Sequence, residues 1–308
     1  MKKNPKWNDD FIKINYREFL APSDLIRDDF KKIWYNICKK SHINIDFNTA
    51  ISTLKDLVIY EAIDGSRTTL TTNKLVKSDV ENALFIINYI HVLKSLGAKT
   101  CFMMIHTSYN RERGKIEFEK ILTKVKNSAP LIKKYCMENK VICSFICANK
   151  KHELKPILND ISEQTKNGEF LSYFLFDYSE KWAMTREGNR TIMNLPDIDV
   201  HIRHTKFQFS GGWLPEKMSR SVFVYSQNGC VYSNWKSDEI VALIAISVLA
   251  KQLHSGELLN KSYKTQNEII SRYRQRELEL FNKKIELRKD RKKLFIIGSP
   301  IGILQFYY

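Results

Sequence analysis

From Leu54 onward, short apolar runs alternate with longer amphipathic stretches, the pattern expected of βαβ units and a parallel sheet. The runs predict strands at Leu57–Tyr60, Thr100–Ile105, Val141–Cys147, Leu171–Asp177, Val200–Ile202 and Val222–Tyr225. Helical periodicity predicts helices at Lys77–Leu96, Arg113–Asn139, Glu153–Lys166, Asp238–Leu253 and Thr265–Lys293. The preceding stretch reads as a helical extension: Phe11, Ile14, Leu20, Leu25, Phe30, Ile33, Trp34 and Ile37 are spaced loosely as one helix face, and Pro22 interrupts them. There is no internal repeat, low-complexity tract or Pro/Gly-rich linker. The expectation is one α/β domain at 54–255, with a helical extension at 1–53 and a basic helix and apolar tail at 256–308. The tail, Leu294 to Tyr308, is too short and too broken by Gly298, Pro300 and Gly302 to span a bilayer. Packing on the core is its default fate, ahead of a partner subunit or a membrane surface.

At 308 residues and 43% hydrophobic content, the chain can bury a substantial core. Its six cysteines (Cys38, Cys101, Cys136, Cys143, Cys147 and Cys230) show no metal-ligand spacing, and the start Met1-Lys2-Lys3-Asn4 lacks the apolar core of a signal peptide. A reducing, cytoplasmic setting is expected. Cys143 and Cys147 lie in an apolar run and read as small buried hydrophobes. The formal charge of +16 is concentrated, with twelve Lys/Arg against five Asp/Glu in residues 261–293. Such a surplus attracts nucleic acid, an anionic membrane surface or phosphorylated substrates, although a solvated helix face accounts for it equally well. No RNP run, zinc-finger spacing or helix-turn-helix accompanies it, so no nucleic-acid partner is expected. Peripheral membrane contact through this segment stays open.

Three polar clusters follow predicted strands, and in an open parallel sheet ligands bind beyond the carboxyl ends of the strands. Asp64, Gly65, Ser66 and Arg67 follow the first, Thr107 to Arg113 the second, and Arg203-His204-Thr205-Lys206 with Gln208 and Ser210-Gly211-Gly212 the fifth. Taken singly, each reads as a polar loop or a helix cap, Thr107 or Ser108 being a candidate cap. Together they supply a carboxylate, guanidiniums, hydroxyls and flexible glycines, an inventory that suits a diphosphate with Mg²⁺. No Cys/His or Ser/His/Asp nucleophile system is present in the pattern.

Asp64-Gly65-Ser66-Arg67, His106-Thr107-Ser108-Tyr109-Asn110-Arg111-Glu112-Arg113, Leu175-Phe176-Asp177-Tyr178-Ser179, Pro196-Asp197-Ile198-Asp199-Val200-His201-Ile202-Arg203, Ser210-Gly211 and Trp235-Lys236-Ser237-Asp238 form an ordered series. Over about residues 55–255 this series resembles the motifs of the cis-prenyltransferases, the undecaprenyl and dehydrodolichyl diphosphate synthases. The matches are to D-G-N-x-R, F-S-x-x-N-W-x-R, the N-Y-G-G strand end, P-D-P-D-L-L-I-R, S-G and W-P-D-F, and their order is more specific than any one of them. The resemblance implies a single α/β domain with a central parallel sheet flanked by helices, a hydrophobic tunnel, and a homodimer built near the C-terminal part. It also implies the chemistry. An allylic prenyl diphosphate ionises with Mg²⁺, isopentenyl diphosphate attacks, and a proton is lost to leave a cis double bond. Asp64 would hold the metal, and Asp64, Asn110 and Arg113 would be catalytic. Gly65, Ser66, Arg67, Thr107, Arg203, Gln208 and Ser210 would bind the substrate diphosphates.

The series also departs from the family. Ser66 replaces its Asn, Thr68 stands where many members carry a second basic residue, and Lys77-Ser78-Asp79-Val80-Glu81 lacks the His of G-H-x-x-G. Gln208 takes the place of a second arginine, and the late metal-binding glutamate falls near Val222. Losing an arginine and a carboxylate alters the isopentenyl diphosphate site and leaves three readings. The first is condensation of an allylic diphosphate with isopentenyl or dimethylallyl diphosphate. The second is a terpene synthase acting on one prenyl diphosphate, and the third is a non-catalytic subunit of a heteromeric prenyltransferase. Asp64, Asn110, Arg113 and Arg203 are all present, which puts the silent subunit last, and family frequency puts condensation first. Phe85, Tyr89 and Phe102-Met103-Met104 read as core, whereas Phe209 and Trp213 offer aromatic faces to a cation.

Overall fold

The computed structural model describes residues 14–63, 78–204, 214–254, 283–289, 293–299 and 302–308, with single positions at 268 and 271. The strands are β1 (Ile59–Ala62), β2 (Thr100–Met104), β3 (Val141–Cys147), β4 (Phe170–Phe176), β5 (Val200–His204), β6 (Val222–Ser226), β7 (Lys283–Glu286), β8 (Leu294–Ser299) and β9 (Gly302–Tyr307). They form one sheet in the order β3-β4-β2-β1-β5-β6-β8-β9-β7. The first six are parallel. On the outer edge of β6, β8 returns antiparallel, β9 pairs antiparallel with β8, and β7 closes the edge parallel to β9.

The helices are α1 (Ser23–Ser41), α2 (Phe47–Asp56), α3 (Ser78–Ser95), α4 (Lys115–Glu138), α5 (Lys155–Thr165), α6 (Glu180–Ala183), α7 (Arg186–Met193), α8 (Pro215–Met218) and α9 (Ser237–His254). The parallel crossovers place helices on both faces of the sheet. The larger core joins one face to α1 through α5 and α9, and a smaller cluster on the other face includes Tyr60, Phe102, Tyr178, Ile192 and Met218. Helix α9 is buried at every position from Glu239 to Ala250. It lies between the sheet and the N-terminal helices, whose Ile26, Phe30, Trp34 and Ile37 face the core. No helix among the described residues is long and apolar enough to cross a membrane.

Expectation and structure agree closely for the six parallel strands and for α3, α4, α5 and α9. In the extension, Pro22 precedes α1 as its cap residue, and the buried stripe runs through Ile26 while Leu25 is 47% exposed. Phe11 lies outside the described residues. The predicted helix Thr265–Lys293 requires correction, because Lys283–Glu286 is the strand β7. Along one side its backbone pairs with β9, and Lys40 on α1 donates to the carbonyl of Glu286. Basic residues that the helical reading assigned to a solvated face make specific pairs instead. Arg288 Nη1 meets Asp238 Oδ2 at 2.9 Å, and Lys293 pairs with the buried Glu239. Both acids sit in the first turn of α9, where the helix dipole favours negative charge. The tail is a core-packed hairpin, as its default reading had it.

This hairpin should be integral to stability. Phe306→Ala, at a fully buried position, should cost about 3–5 kcal/mol in chemical denaturation, while Ile303→Ala at a 39% exposed position of the same strand should stay within about 0.5 kcal/mol. Equal effects would mean the hairpin is not docked.

Candidate functional site

Because β1 to β6 are parallel, their carboxyl ends share one rim. The segment after β2 forms a short 3-10 turn, Ser108–Arg113, tied to the end of β4. Ser108 N–H donates to the Tyr178 carbonyl at 2.9 Å, and Thr107 bridges to Tyr178 in parallel fashion. Asn110 Oδ1 accepts from Thr107 N–H at 2.8 Å and from Thr107 Oγ1 at 3.2 Å, so both side chains close the turn that presents the following arginines. Arg113 is half-exposed at the end of that turn, 3.8 Å from Glu117.

Arg111, which no motif singled out, is the centre of a polar network on this rim. Its Nε donates to both oxygens of Asp177 at 2.9 and 3.0 Å, and its two terminal nitrogens fork onto Glu153 at 3.2 and 3.0 Å. The guanidinium also stacks 4.3 Å from the Phe118 ring centre. Asp177 adopts a left-handed backbone, φ 50°, a conformation that Asp tolerates better than most residues. The hydrogen bond from Arg111 holds the Glu153 carboxyl down at about 2.

Beside this network, His106 Nε2 and His152 Nε2 approach to 3.0 Å, and with Asp177 they form one of two ligand-type groups among the described residues. Backbone partners assign the tautomers. Leu154 N–H donates to His152 Nδ1 at 3.1 Å, so the proton of His152 is on Nε2. That proton faces His106 Nε2, and His106 Nδ1–H donates to the Thr107 carbonyl at 3.1 Å. The chain of donors and acceptors is complete for two neutral rings, and a metal on His152 Nε2 would break it. Burial pushes His106 down to about 4 and also lowers His152.

From β5, Arg203 reaches the same rim with only 5% of its surface exposed. Strand alternation puts it on the face of His201, whose ring meets Tyr60 edge-on at 4.9 Å. Burial, and then the charge of Arg203, push His201 down to about 3. The remainder of the Pro196–Arg203 motif is architectural. At the amino end of β5, Asp199 accepts from Val58 N–H at 2.9 Å and pairs with Lys251 of α9 at 2.5 Å, and Asp197 pairs with Lys217. Trp235, the first residue of the last motif, is likewise buried, with its Nε1–H on the Gly229 carbonyl at 2.9 Å.

The structure thus brings Thr107, Asn110, Arg113 and Arg203 to one rim. Asp64, Gly65, Ser66, Arg67, Gln208 and Ser210 lie outside the described residues, as do Thr68, Phe209 and Trp213. Val222 starts β6 and so lies at the opposite end of the strand, and β6 reaches the rim with Ser226. Arg111, Asp177, His106, His152 and Glu153 were missed as a unit. The signal that could have found them was the polar residues directly after every strand, His152-Glu153 after β3 included.

No protein-family model matches the sequence, and no curated protein matches it. Solved structures do resemble it. A probable undecaprenyl diphosphate synthase from Campylobacter jejuni superposes with a TM-score of 0.50 and 13% identity, over 67% of this chain and 96% of that one. Lavandulyl diphosphate synthase from Lavandula x intermedia, solved with dimethylallyl diphosphate, gives 0.53 and 11%, over 62% of this chain and 96% of that one. The chain has the cis-prenyltransferase fold.

Two outcomes test the rim network. Asp177→Asn keeps left-handed tolerance but removes the charge facing Arg111, and should cost about 1–3 kcal/mol in denaturation, with Asp177→Ala about 1–2 kcal/mol worse. Stability should also fall with pH. The histidines are held neutral in the fold, so the unfolded chain protonates first, below about pH 6.5, and the loss grows until His106 itself titrates at about 4. Denaturation curves between pH 7.5 and 4 that show no such loss would mean the rings are not held neutral.

Proposed function

We propose that the chain is a Mg²⁺-dependent prenyltransferase of isoprenoid biosynthesis, a divergent member of the cis-prenyltransferases that joins an allylic diphosphate to isopentenyl or dimethylallyl diphosphate. The observation that carries this reading is convergence. The strands that precede Asp64 and Thr107–Arg113 and the strand that carries Arg203 lie side by side in the order β2-β1-β5, within a fold that resembles two prenyl diphosphate synthases.

The donor set fits a diphosphate. Arg113 and Arg203 are guanidiniums, whose forked N–H groups match phosphate oxygens. The carboxylate of Asp177 is taken by Arg111. The hard oxygen ligand for Mg²⁺ would therefore come from Asp64, which follows directly on Ile63, whose N–H donates to the Met104 carbonyl at the rim, 3.3 Å away. Mg²⁺ there would neutralise charge on the departing diphosphate. Arg113 would spread further charge from that group, and Arg203, rigidly held in β5, would orient the second diphosphate. Gly65, Ser66, Arg67, Gln208 and Ser210 would complete the cradle. Thr107 and Asn110 serve by holding the turn that carries Arg113.

One observation favours a second reading. At the rim β6 offers Ser226 and Gln227 rather than a carboxylate, which weakens the second diphosphate's metal site and suits a terpene synthase that ionises a single substrate. The homodimer that the resemblance implies belongs to the proposal too, with the constraint that the outer edge of β6 is occupied by β8.

Incubation with Mg²⁺ and geranyl, farnesyl or geranylgeranyl diphosphate, with and without isopentenyl diphosphate, separates these readings. A longer diphosphate formed only when both substrates are present is the expected result. A hydrocarbon or alcohol from the allylic diphosphate alone would establish the second reading instead, and inertness toward every donor would reject both. Asp64→Ala should abolish turnover with the fold intact, and Arg203→Lys, which keeps the charge but loses the fork, should lower kcat by about 100-fold or more.

A further inference from the structure

The second ligand-type group among the described residues is Glu61, His204 and Cys230, whose ligand atoms all lie within 4.8 Å of one another. Glu61 is in β1, His204 ends β5 and Cys230 follows β6, and all three are fully buried. His204 Nε2 meets Glu61 Oε1, while Cys230 Sγ lies 3.5 Å from that same oxygen and 3.7 Å from the Ala62 carbonyl. Phe85 and Trp235 wall the imidazole edge-on, at 6.4 and 5.3 Å. Unlike the His106–His152 pair, this group is not self-sufficient. The fully buried Tyr89 hydroxyl is close enough to Glu61 to interact with it, yet neither that hydroxyl nor Glu61 Oε2 completes a well-formed hydrogen bond among the described residues, a costly state for a carboxylate oxygen.

We propose that Glu61, His204 and Cys230 form a site for a zinc-class divalent cation. Charge supports it: a divalent ion with one thiolate, one carboxylate and a neutral imidazole is electroneutral, as a fully buried site requires. Ligand type sets the class, since thiolate and imidazole select Zn²⁺ over Mg²⁺, which takes oxygen ligands. One spacing agrees: Zn–S of about 2.3 Å and Zn–O of about 2.1 Å place tetrahedral neighbours about 3.6 Å apart, against 3.5 Å from Cys230 Sγ to Glu61 Oε1, while His204 Nε2 and Glu61 Oε1 stand closer than two ligands of one ion and must separate. On binding, the Cys230 thiol gives its proton to solvent, the His204–Glu61 hydrogen bond opens with the imidazole proton carried on Nδ1 so that Nε2 can ligate, and a fourth position remains for water.

The ion would clamp β1, β5 and the loop after β6 from the face opposite Arg203. Its binding requires no prenyl substrate, so this inference and the proposed reaction can fail separately. The full-length protein, stripped of metal, is titrated with Co²⁺ and then Zn²⁺, and metal content is measured by mass spectrometry. The expected result is one ion per chain, with a thiolate-to-cobalt charge-transfer band that Zn²⁺ abolishes, and a thermal midpoint raised by the metal. Cys230→Ser should lose the band and weaken Co²⁺ binding by more than the ~10–100-fold typical of losing a supporting residue. Cys38→Ser should change neither. Wild-type protein that takes up no stoichiometric ion, or whose cobalt complex lacks the thiolate band, overturns the proposal. So does a Cys230→Ser variant that binds as the wild type does.

Discussion

A helix that is apolar on every side is stable only when it is covered on every side, and α9 is such a helix. One side of it rests on β5, β6 and β8, and the other is roofed by α1, α2 and α3. That requirement explains why the two ends of the chain belong to one core. Phe30 and Trp34 from the N-terminal helices and Phe295 and Phe306 from the hairpin fall in the same hydrophobic cluster as the helix they cover. The two acidic groups at the start of α9, Asp238 and Glu239, are drawn into ion pairs by Arg288 and Lys293, so charge as well as apolar area fastens the tail to this helix.

With the core held in that way, the parallel sheet sets which residues can meet. Side chains at successive strand positions face opposite ways, so Arg203 and His204, adjacent in sequence, serve different faces of the sheet. The two faces also differ in thickness. Short α6, α7 and α8 cover the Arg203 side, while the His204 side is deep and apolar. A polar group on the deep side must find its partner within the protein.

Much of this was legible in the sequence, and the failures have physical causes. Runs such as Cys101–Met104 identify strands because both faces of a parallel sheet are buried and the run is uniformly apolar. Residues 283–286, Lys-Lys-Ile-Glu, are an edge strand with one buried side chain, and so short a polar segment carries no periodicity to contradict its basic, helix-favouring surroundings. Of the candidate site, the rim was legible because loops after parallel strands must converge there. The division of labour within each motif was not. Asp199 and Trp235 belong to motifs that resemble those of an enzyme family, yet their contacts are those of a strand anchor and a helix anchor. The Glu61–His204–Cys230 group was invisible to any search for ligand spacing along the chain, since its members arrive from three separate segments.

The hairpin has a consequence for how the molecule is made. Chains emerge from the ribosome amino end first, and β8 and β9 lie well after the helix they cover. Until they arrive, the outer edge of β6 stays unpaired beside an α9 that lacks part of its cover, and that combination invites pairing with a neighbouring chain. The interval between completing α9 and completing β9 is therefore when the nascent protein is most exposed to aggregation, and its yield in a cell depends on how well that interval is protected.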